Sequence, residues 1–68
     1  MAMGTVKNKI KITAKNKTVF YLINYNLGTG GLSVKQQIQK AVVISKQELE
    51  SVYNLCVSSF KNDIVEIF

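Results

Sequence analysis

Three lysines alternate along residues 7–11 of this sequence, at Lys7, Lys9 and Lys11, and the first 40 positions contain no acidic residue. On an extended strand, alternate side chains lie on one face at a spacing of about 6.6 Å, since each residue advances the chain by roughly 3.3 Å. Successive phosphates along a nucleic-acid strand are separated by a similar distance. Lysines at this spacing would neutralise phosphates and release counterions, which gives salt-sensitive binding that depends little on base sequence.

Aromatic residues follow these lysines and would join them on one side of a hairpin. A three-residue loop at positions 15–17 would put Tyr21 and Tyr25 on the lysine face, where rings among lysines form a stacking platform for single strands. A loop of two or four residues would put Phe20 and Leu22 there instead. The candidate nucleic-acid-binding residues are Lys7, Lys9, Lys11, Lys15, Lys17, Tyr21 and Tyr25.

Two features of the lysines restrict this hypothesis. Lysines are also common on edge strands, where they prevent pairing with other chains, so the same pattern is expected of an edge strand that binds nothing. All nine basic residues are lysines. Because the bidentate arginine contact to guanine is missing, recognition of particular bases is not expected. The charge is unevenly distributed, at +7 over residues 1–40 and −2 over residues 41–68.

A second hypothesis is a surface for binding another protein. Residues 19–23 are apolar without alternation, which is typical of a strand in the middle of a sheet or beneath a partner. An uncovered apolar face would mark an interface, and a chain this short gains stability from self-association. The sequence therefore predicts a small adaptor or inhibitor that docks on another protein and forms a homodimer. The candidate interface residues are Phe20, Leu22, Ile67 and Phe68.

Catalytic and metal-binding residues are not expected. The chain has no histidine, a single cysteine at Cys56 and four scattered carboxylates, so neither a nucleophile with its base nor a zinc site of nitrogen and sulfur ligands can be assembled. The glycine-rich stretch at residues 26–31 lacks the spacing of a phosphate-binding loop and predicts a hairpin turn. We expect no enzymatic activity and no cofactor.

The elements that position these residues predict a single α+β domain over residues 1–68. Residues 5–14 alternate as a strand does, residues 18–26 form a second strand, and residues 33–44 are mostly a third. Helical spacing from 33 to 44 is the alternative. Ser45 and Glu48 form the S-x-x-E capping box of a helix with Ile44 and Leu49 as a hydrophobic staple, and residues 64–68 form a last strand.

The predicted order is βββαβ: an antiparallel β-meander packed against one amphipathic helix, with a short C-terminal strand. A helical segment at 33–44 would change the order to ββααβ. The helix should bury a stripe made of Leu49, Val52, Tyr53, Cys56, Val57 and Phe60. Residues 1–4 are expected to be disordered.

The sequence also predicts where the protein works. It contains neither the apolar run of a signal peptide nor a stretch of about 18 apolar residues that could span a bilayer. We therefore expect a cytoplasmic protein with no membrane partner. Its partners would be another protein, a second copy of itself, or DNA or RNA. Its composition is frequent among small proteins of phages and mobile elements.

Overall fold

The architecture is known from a computed structural model, which describes residues 7–68. The predicted disorder of residues 1–4 lies outside the described residues, as does the beginning of the predicted first strand. The predicted βββαβ order is confirmed. Residues 33–44, for which strand and helix were the alternatives, begin as a strand. The elements are β1 (Ile10–Thr13), β2 (Val19–Asn26), β3 (Gly31–Lys35), a 3-10 turn (Ile38–Lys40), α1 (Lys46–Ser59) and β4 (Ile64–Ile67).

The four strands form one antiparallel sheet in the order β3-β2-β1-β4. The prediction that the apolar stretch of residues 19–23 lies inside the sheet is confirmed, because β2 has neighbours on both sides. Strand β1 is also interior, since β4 pairs along its other side. Protection of an exposed edge therefore does not explain Lys11, the lysine of β1.

The β1–β2 hairpin has the three-residue loop that places Tyr21 opposite Lys11. The Ala14 N–H donates to the Thr18 carbonyl oxygen at 2.8 Å, and the Lys17 N–H donates to the Ala14 carbonyl oxygen at 2.8 Å. Lys17 adopts a left-handed φ of 71°, the conformation that closes such loops. Because alternate residues face opposite sides of a strand, this loop decides which side chains lie beside the lysines.

The segment from residue 33 to 44 is a strand only as far as Lys35, so its prediction as mostly strand is wrong beyond that residue. After the 3-10 turn the chain is bonded to β2 and to the segment before β1. The Val42 N–H donates to the Leu22 carbonyl oxygen at 2.9 Å, and the Ile44 N–H donates to the Asn8 carbonyl oxygen at 2.8 Å. Each of the two segments receives a single bond, so residues 42–44 do not form a strand of the sheet.

The core lies between the sheet and α1. Its fully buried side chains are Ile10, Ile12, Leu22, Ile44, Val52 and Cys56. Most of the predicted helix stripe packs here, with Leu49, Tyr53 and Phe60 at its margins. Val57 is the exception, since its side chain is 41% exposed and does not belong to the core cluster. Ile44 and Leu49 belong to the same cluster, as expected of a hydrophobic staple.

Ser45 is the N-cap of α1, but the reciprocal capping box is not formed. Its side chain makes no capping hydrogen bond to the backbone. The hydroxyl instead donates to Glu48 Oε1 at 3.4 Å, and the Glu48 N–H donates to the Ser45 carbonyl oxygen at 3.0 Å. The helix therefore starts where the sequence predicts, held more by the burial of Ile44 than by its cap.

Replacing Lys17 with glycine should stabilise the protein. An L-residue with positive φ is strained, whereas glycine is not, and the gain exceeds glycine's greater freedom in the unfolded chain by about 0.5–1 kcal/mol. Chemical denaturation measures the change. Lys15→Gly removes the same charge from the same loop without relieving a positive φ, and it should stabilise nothing. Equal stabilisation by both variants would contradict the prediction.

Candidate functional site

The helix packs on one face of the sheet, where the buried core lies, and the side chains of the opposite face are half-buried or exposed. Side chains directly opposite each other in neighbouring strands share a face. Lys35, Tyr21, Lys11 and Glu66 form one row across all four strands in this way. We call this surface the outer face, and its residues are Lys9, Lys11, Thr13, Val19, Tyr21, Lys35, Ile64, Glu66 and Phe68.

An aromatic pair lies on the outer face. The rings of Tyr21 and Phe68 have centroids 5.6 Å apart and planes inclined at 67°, an edge-to-face arrangement. Tyr21 is on β2 and Phe68 follows β4, so the two rings meet over the intervening β1. Both side chains are half-buried. The pair forms an aromatic patch between strands that also carry lysines.

Three lysines accompany this patch, and one acid opposes them. Lys9 is hydrogen-bonded through its backbone to Phe68, while Lys11 and Lys35 lie opposite Tyr21 from its two sides. The Lys11 Nζ lies 3.6 Å from Glu66 Oε1, and both side chains are substantially exposed. A surface ion pair of this kind contributes little to stability, so Lys11 remains able to exchange its partner for another anion.

Lys7 does not lie on the outer face, and the prediction that Lys7, Lys9 and Lys11 share one face is wrong for it. The Asn8 and Lys9 N–H groups both donate to the Phe68 carbonyl oxygen, at 2.9 and 2.8 Å. Two residues opposite one make a β-bulge, which interrupts the alternation of side chains. Lys7 instead lines a shallow depression of about 340 Å³ at the start of the helix, with Asn8, Ile44, Lys46 and Leu49.

Tyr25 also leaves the outer face, for the same kind of reason. The pairing of β2 with β3 shifts between Leu22 and Asn24, and this bulge turns Tyr25 toward the core, opposite Leu32. Its hydroxyl donates to Glu48 Oε1 at 2.7 Å. The hydrogen bond to Glu48, then burial and the glutamate charge, raise the pKa of Tyr25 above its usual value. The prediction that Tyr25 joins the lysines is therefore wrong.

The remaining predicted residues separate into two places. Lys15 and Lys17 are exposed in the β1–β2 loop, at one end of the outer face. Of the predicted interface residues, Leu22 is fully buried, and Phe20 and Ile67 pack against the core opposite Ile12 and Ile10. These three side chains stabilise the protein's own fold. Phe68 alone of the four lies on the outer face.

Sequence reasoning did not include Lys35 or Glu66 in the site, and it assigned Phe68 to an interface only. A signal for two of these residues was present, because Ile64, Glu66 and Phe68 share one parity in the last strand. The sequence pattern does not show which strand lies beside the last strand in the sheet. Only the pairing of β4 with β1 brings Glu66 beside Lys11.

Other kinds of site are not evident in the described part of the chain. Among residues 7–68, no three Cys, Asp or Glu side chains converge so that they could hold a metal ion. Cys56 is fully buried, and burial raises the pKa of its thiol to about 11, so it is protonated at neutral pH. Over the same residues, no helix has both the length and the apolar character needed to cross a membrane.

No family model matches the chain, and comparisons with curated proteins and with solved structures return no significant match. The outer face is therefore the feature of the molecule that points to a function.

Replacing Tyr25 with phenylalanine should remove the hydrogen bond to Glu48 and destabilise the protein by about 0.5–1 kcal/mol at neutral pH. The raised pKa of Tyr25 means that the folded state favours the protonated hydroxyl. Its contribution is therefore complete below pH 10 and is lost as the pH rises through the folded-state pKa. Denaturation of both proteins between pH 7 and 11 tests this, and a stability difference that does not shrink above pH 10 would contradict it.

Proposed function

We propose that this is a non-enzymatic accessory protein that binds single-stranded DNA or RNA on the outer face. The observation that carries the proposal is that Lys11 lies directly opposite Tyr21 on an uncovered sheet face. Cationic and aromatic groups are therefore interleaved on one surface. Single-strand binders combine these two groups, using a basic surface to follow the backbone and aromatic rings to stack the bases.

The lysines of the outer face would contact the phosphates. Lys9 lies just before β1, Lys11 lies on it, and Lys35 lies on β3, with β2 between them. A backbone that crosses from β1 to β3 would therefore meet lysines on both sides of Tyr21. The exposed loop lysines Lys15 and Lys17 would extend this path at one end of the face. Neutralising three phosphates of a single strand gives a salt dependence with a logarithmic slope of about −2, or roughly twentyfold weaker binding at 200 mM than at 50 mM salt.

The aromatic pair would contact the bases. In an edge-to-face pair the edge of one ring covers a face of the other, so the faces of the first ring are not occupied by its partner. An unpaired base can stack on such a face, whereas the bases of a duplex are already stacked on each other. The proposal therefore favours single strands over duplexes. Since every base has a flat face, little sequence preference is expected.

Glu66 works against this binding and limits its strength. Its carboxylate lies beside Lys11, where it would repel an approaching phosphate. The net charge of the three lysines and Glu66 on the outer face is +2. A surface with this modest positive charge should bind its ligand weakly and reversibly and should release it at high salt.

A second candidate function is a small adaptor or inhibitor that docks on another protein. One specific observation favours it: Ile64 on the outer face is 62% exposed, and it lies opposite Thr13 in the same row as Val19. An apolar margin of this kind is typical of protein-binding surfaces. Such a partner would need acidic groups to face the lysines, which makes it a competitor for the same surface.

We also propose that the protein works in the cytoplasm. Its lone cysteine has no partner within the chain, as is usual in reducing compartments. Nucleic acid and the cytosolic proteins considered above are both found there.

Reversing two outer-face charges tests the site against net charge. Lys9→Glu with Lys35→Glu should weaken binding of a fluorescent thymidine oligomer at least tenfold at 50 mM salt, as measured by anisotropy. The matched control is Lys46→Glu with Lys61→Glu, two exposed lysines outside the outer face. It reaches the same net charge and should bind within about twofold of the parent protein at this ionic strength, because distant exposed charges are screened.

Either of two results would end the nucleic-acid proposal. The first is equal weakening in both double variants, which would leave no site beyond overall charge. The second is a parent protein that binds no single strand more tightly than about 10⁻⁴ M at low salt, since even non-specific binders reach about 10⁻⁴ to 10⁻⁶ M. Binding to an acidic protein with no binding to the oligomer would favour the second candidate.

Replacing Tyr21 with leucine tests the stacking contribution separately. Leucine keeps an apolar side chain at this half-buried position but has no ring to stack, and one stacked base contributes about 1–3 kcal/mol. Affinity for the oligomer should fall roughly tenfold while the salt dependence stays unchanged. Tyr25→Phe, which alters a tyrosine on the other side of the sheet, should bind normally. A Tyr21→Leu variant that binds as tightly as the parent would show that the lysines act alone.

A further inference from the structure

We infer that the protein forms a two-fold dimer in which the free edge of β4 pairs with β4 of a second copy. Within residues 7–68, β4 is an edge of the sheet, with β1 on one side and no strand on the other. This inference does not depend on nucleic-acid binding, because it concerns the edge of the sheet and not its outer face.

The register shows which backbone groups are free at this edge. Phe68 and Lys9 exchange backbone hydrogen bonds, with the Phe68 N–H donating to Lys9 and the Lys9 N–H donating to Phe68, both at 2.8 Å. In an antiparallel pair the residues alternate between facing and turning away from the partner. Glu66 and Ile64 therefore also face β1, and the N–H and C=O groups of Val65 and Ile67 point to the open side.

The two edges of the sheet differ in how well they resist pairing. The β3 edge contains Gly31 and Lys35 and lies next to the bulge of β2, and these are features that discourage a new strand. The β4 segment, IVEI, contains no lysine, glycine or proline and is rich in β-branched residues. Its Ile64 is 62% exposed, the highest fraction among the large apolar side chains of residues 7–68. This edge is therefore less protected than the β3 edge, and its only protective features are its short length and Glu66.

Charge also favours this arrangement over other dimers. Packing two outer faces against each other would bring Lys9, Lys11 and Lys35 of one copy against the same lysines of the other. At the β4 edge, by contrast, Lys11 already neutralises Glu66 in each copy. Two such edges can approach without opposing net charge.

The same constraint selects the register of the pair. With Val65 and Ile67 facing the partner, a two-fold pair can be centred on Glu66 or on Val65. Centring on Glu66 places two carboxylates directly opposite each other, which is destabilising. Centring on Val65 instead places Glu66 opposite Ile64 of the other copy, where its aliphatic stem covers an exposed side chain. We therefore assign the register centred on Val65.

The dimer would contain one continuous sheet of eight strands, since four come from each copy. The two-fold axis of an antiparallel edge pair runs perpendicular to the sheet, so both outer faces lie on the same side. Their lysines and aromatic pairs would then form a single surface of twice the length. A dimer of this kind supplies the additional support that a chain of 68 residues gains from association.

Sedimentation equilibrium of three proteins tests the inference. The parent protein should be dimeric, and Ile64→Glu, which places a carboxylate opposite Glu66 of the other copy, should weaken the dimer at least tenfold. The matched control is Val43→Glu, since Val43 is 61% exposed but lies in the segment before the helix. It should dimerise as the parent does. Both substitutions replace a highly exposed aliphatic side chain, so both variants should fold.

Amide hydrogen exchange provides a second readout that identifies the edge. The Val65 and Ile67 N–H groups should be protected in the dimeric parent and should exchange rapidly in Ile64→Glu, while amides of the β1–β2 ladder stay protected in both. The inference is overturned by a parent that is monomeric at millimolar concentration. A dimer that Ile64→Glu leaves intact, or one whose Val65 amide exchanges freely, also overturns it. Oligomer binding by the parent protein, measured separately, distinguishes failure of the dimer from failure of the proposed function.

Discussion

The pairing of Lys11 with Tyr21 across the first hairpin is the constraint on which the rest of the molecule depends. A shift of one residue in this pairing would exchange the two faces of β2, bringing Phe20 and Leu22 to the lysines and turning Tyr21 beneath the helix. The three-residue loop prevents that shift, and Lys17 accepts a left-handed backbone to close it. The same register buries Ile12 and Leu22 in the core and places Lys11 and Tyr21 side by side on the outer face.

Two β-bulges then limit how far the alternation extends. One at Asn8 and Lys9 removes Lys7 from the outer face, and one between Leu22 and Asn24 removes Tyr25. Both displaced side chains lie on the same side as the helix, Lys7 beside its first turn and Tyr25 bonded to Glu48. The outer face is consequently smaller than uninterrupted strands would make it, and its centre is the aromatic pair with its neighbouring lysines.

The outcome for individual residues shows what the sequence could and could not predict. Alternation along residues 5–14 and the S-x-x-E motif at residues 45–48 are local signals. The first predicted a strand that, over the described residues, is shorter than expected at Ile10–Thr13, and the second predicted the start of α1 correctly. A bulge inserts one residue without changing the hydrophobic pattern in any recognisable way, so the positions of Lys7 and Tyr25 could not be predicted. The contact between Tyr21 and Phe68 also required knowing that β4 joins the sheet beside β1, and local periodicity does not specify which strands are neighbours.

Chemical-shift mapping tests most directly whether a single strand binds on the outer face and not on the helix side of the sheet. A short thymidine oligomer titrated into the isotopically labelled protein at low salt should shift the resonances of Lys9, Lys11, Tyr21, Lys35 and Phe68 progressively. The resonances of Lys7, Tyr25 and Lys46 should remain in place. Shifts centred on the depression that Lys7 shares with Lys46 and Leu49, or no shifts on the outer face at saturating oligomer, would contradict the account.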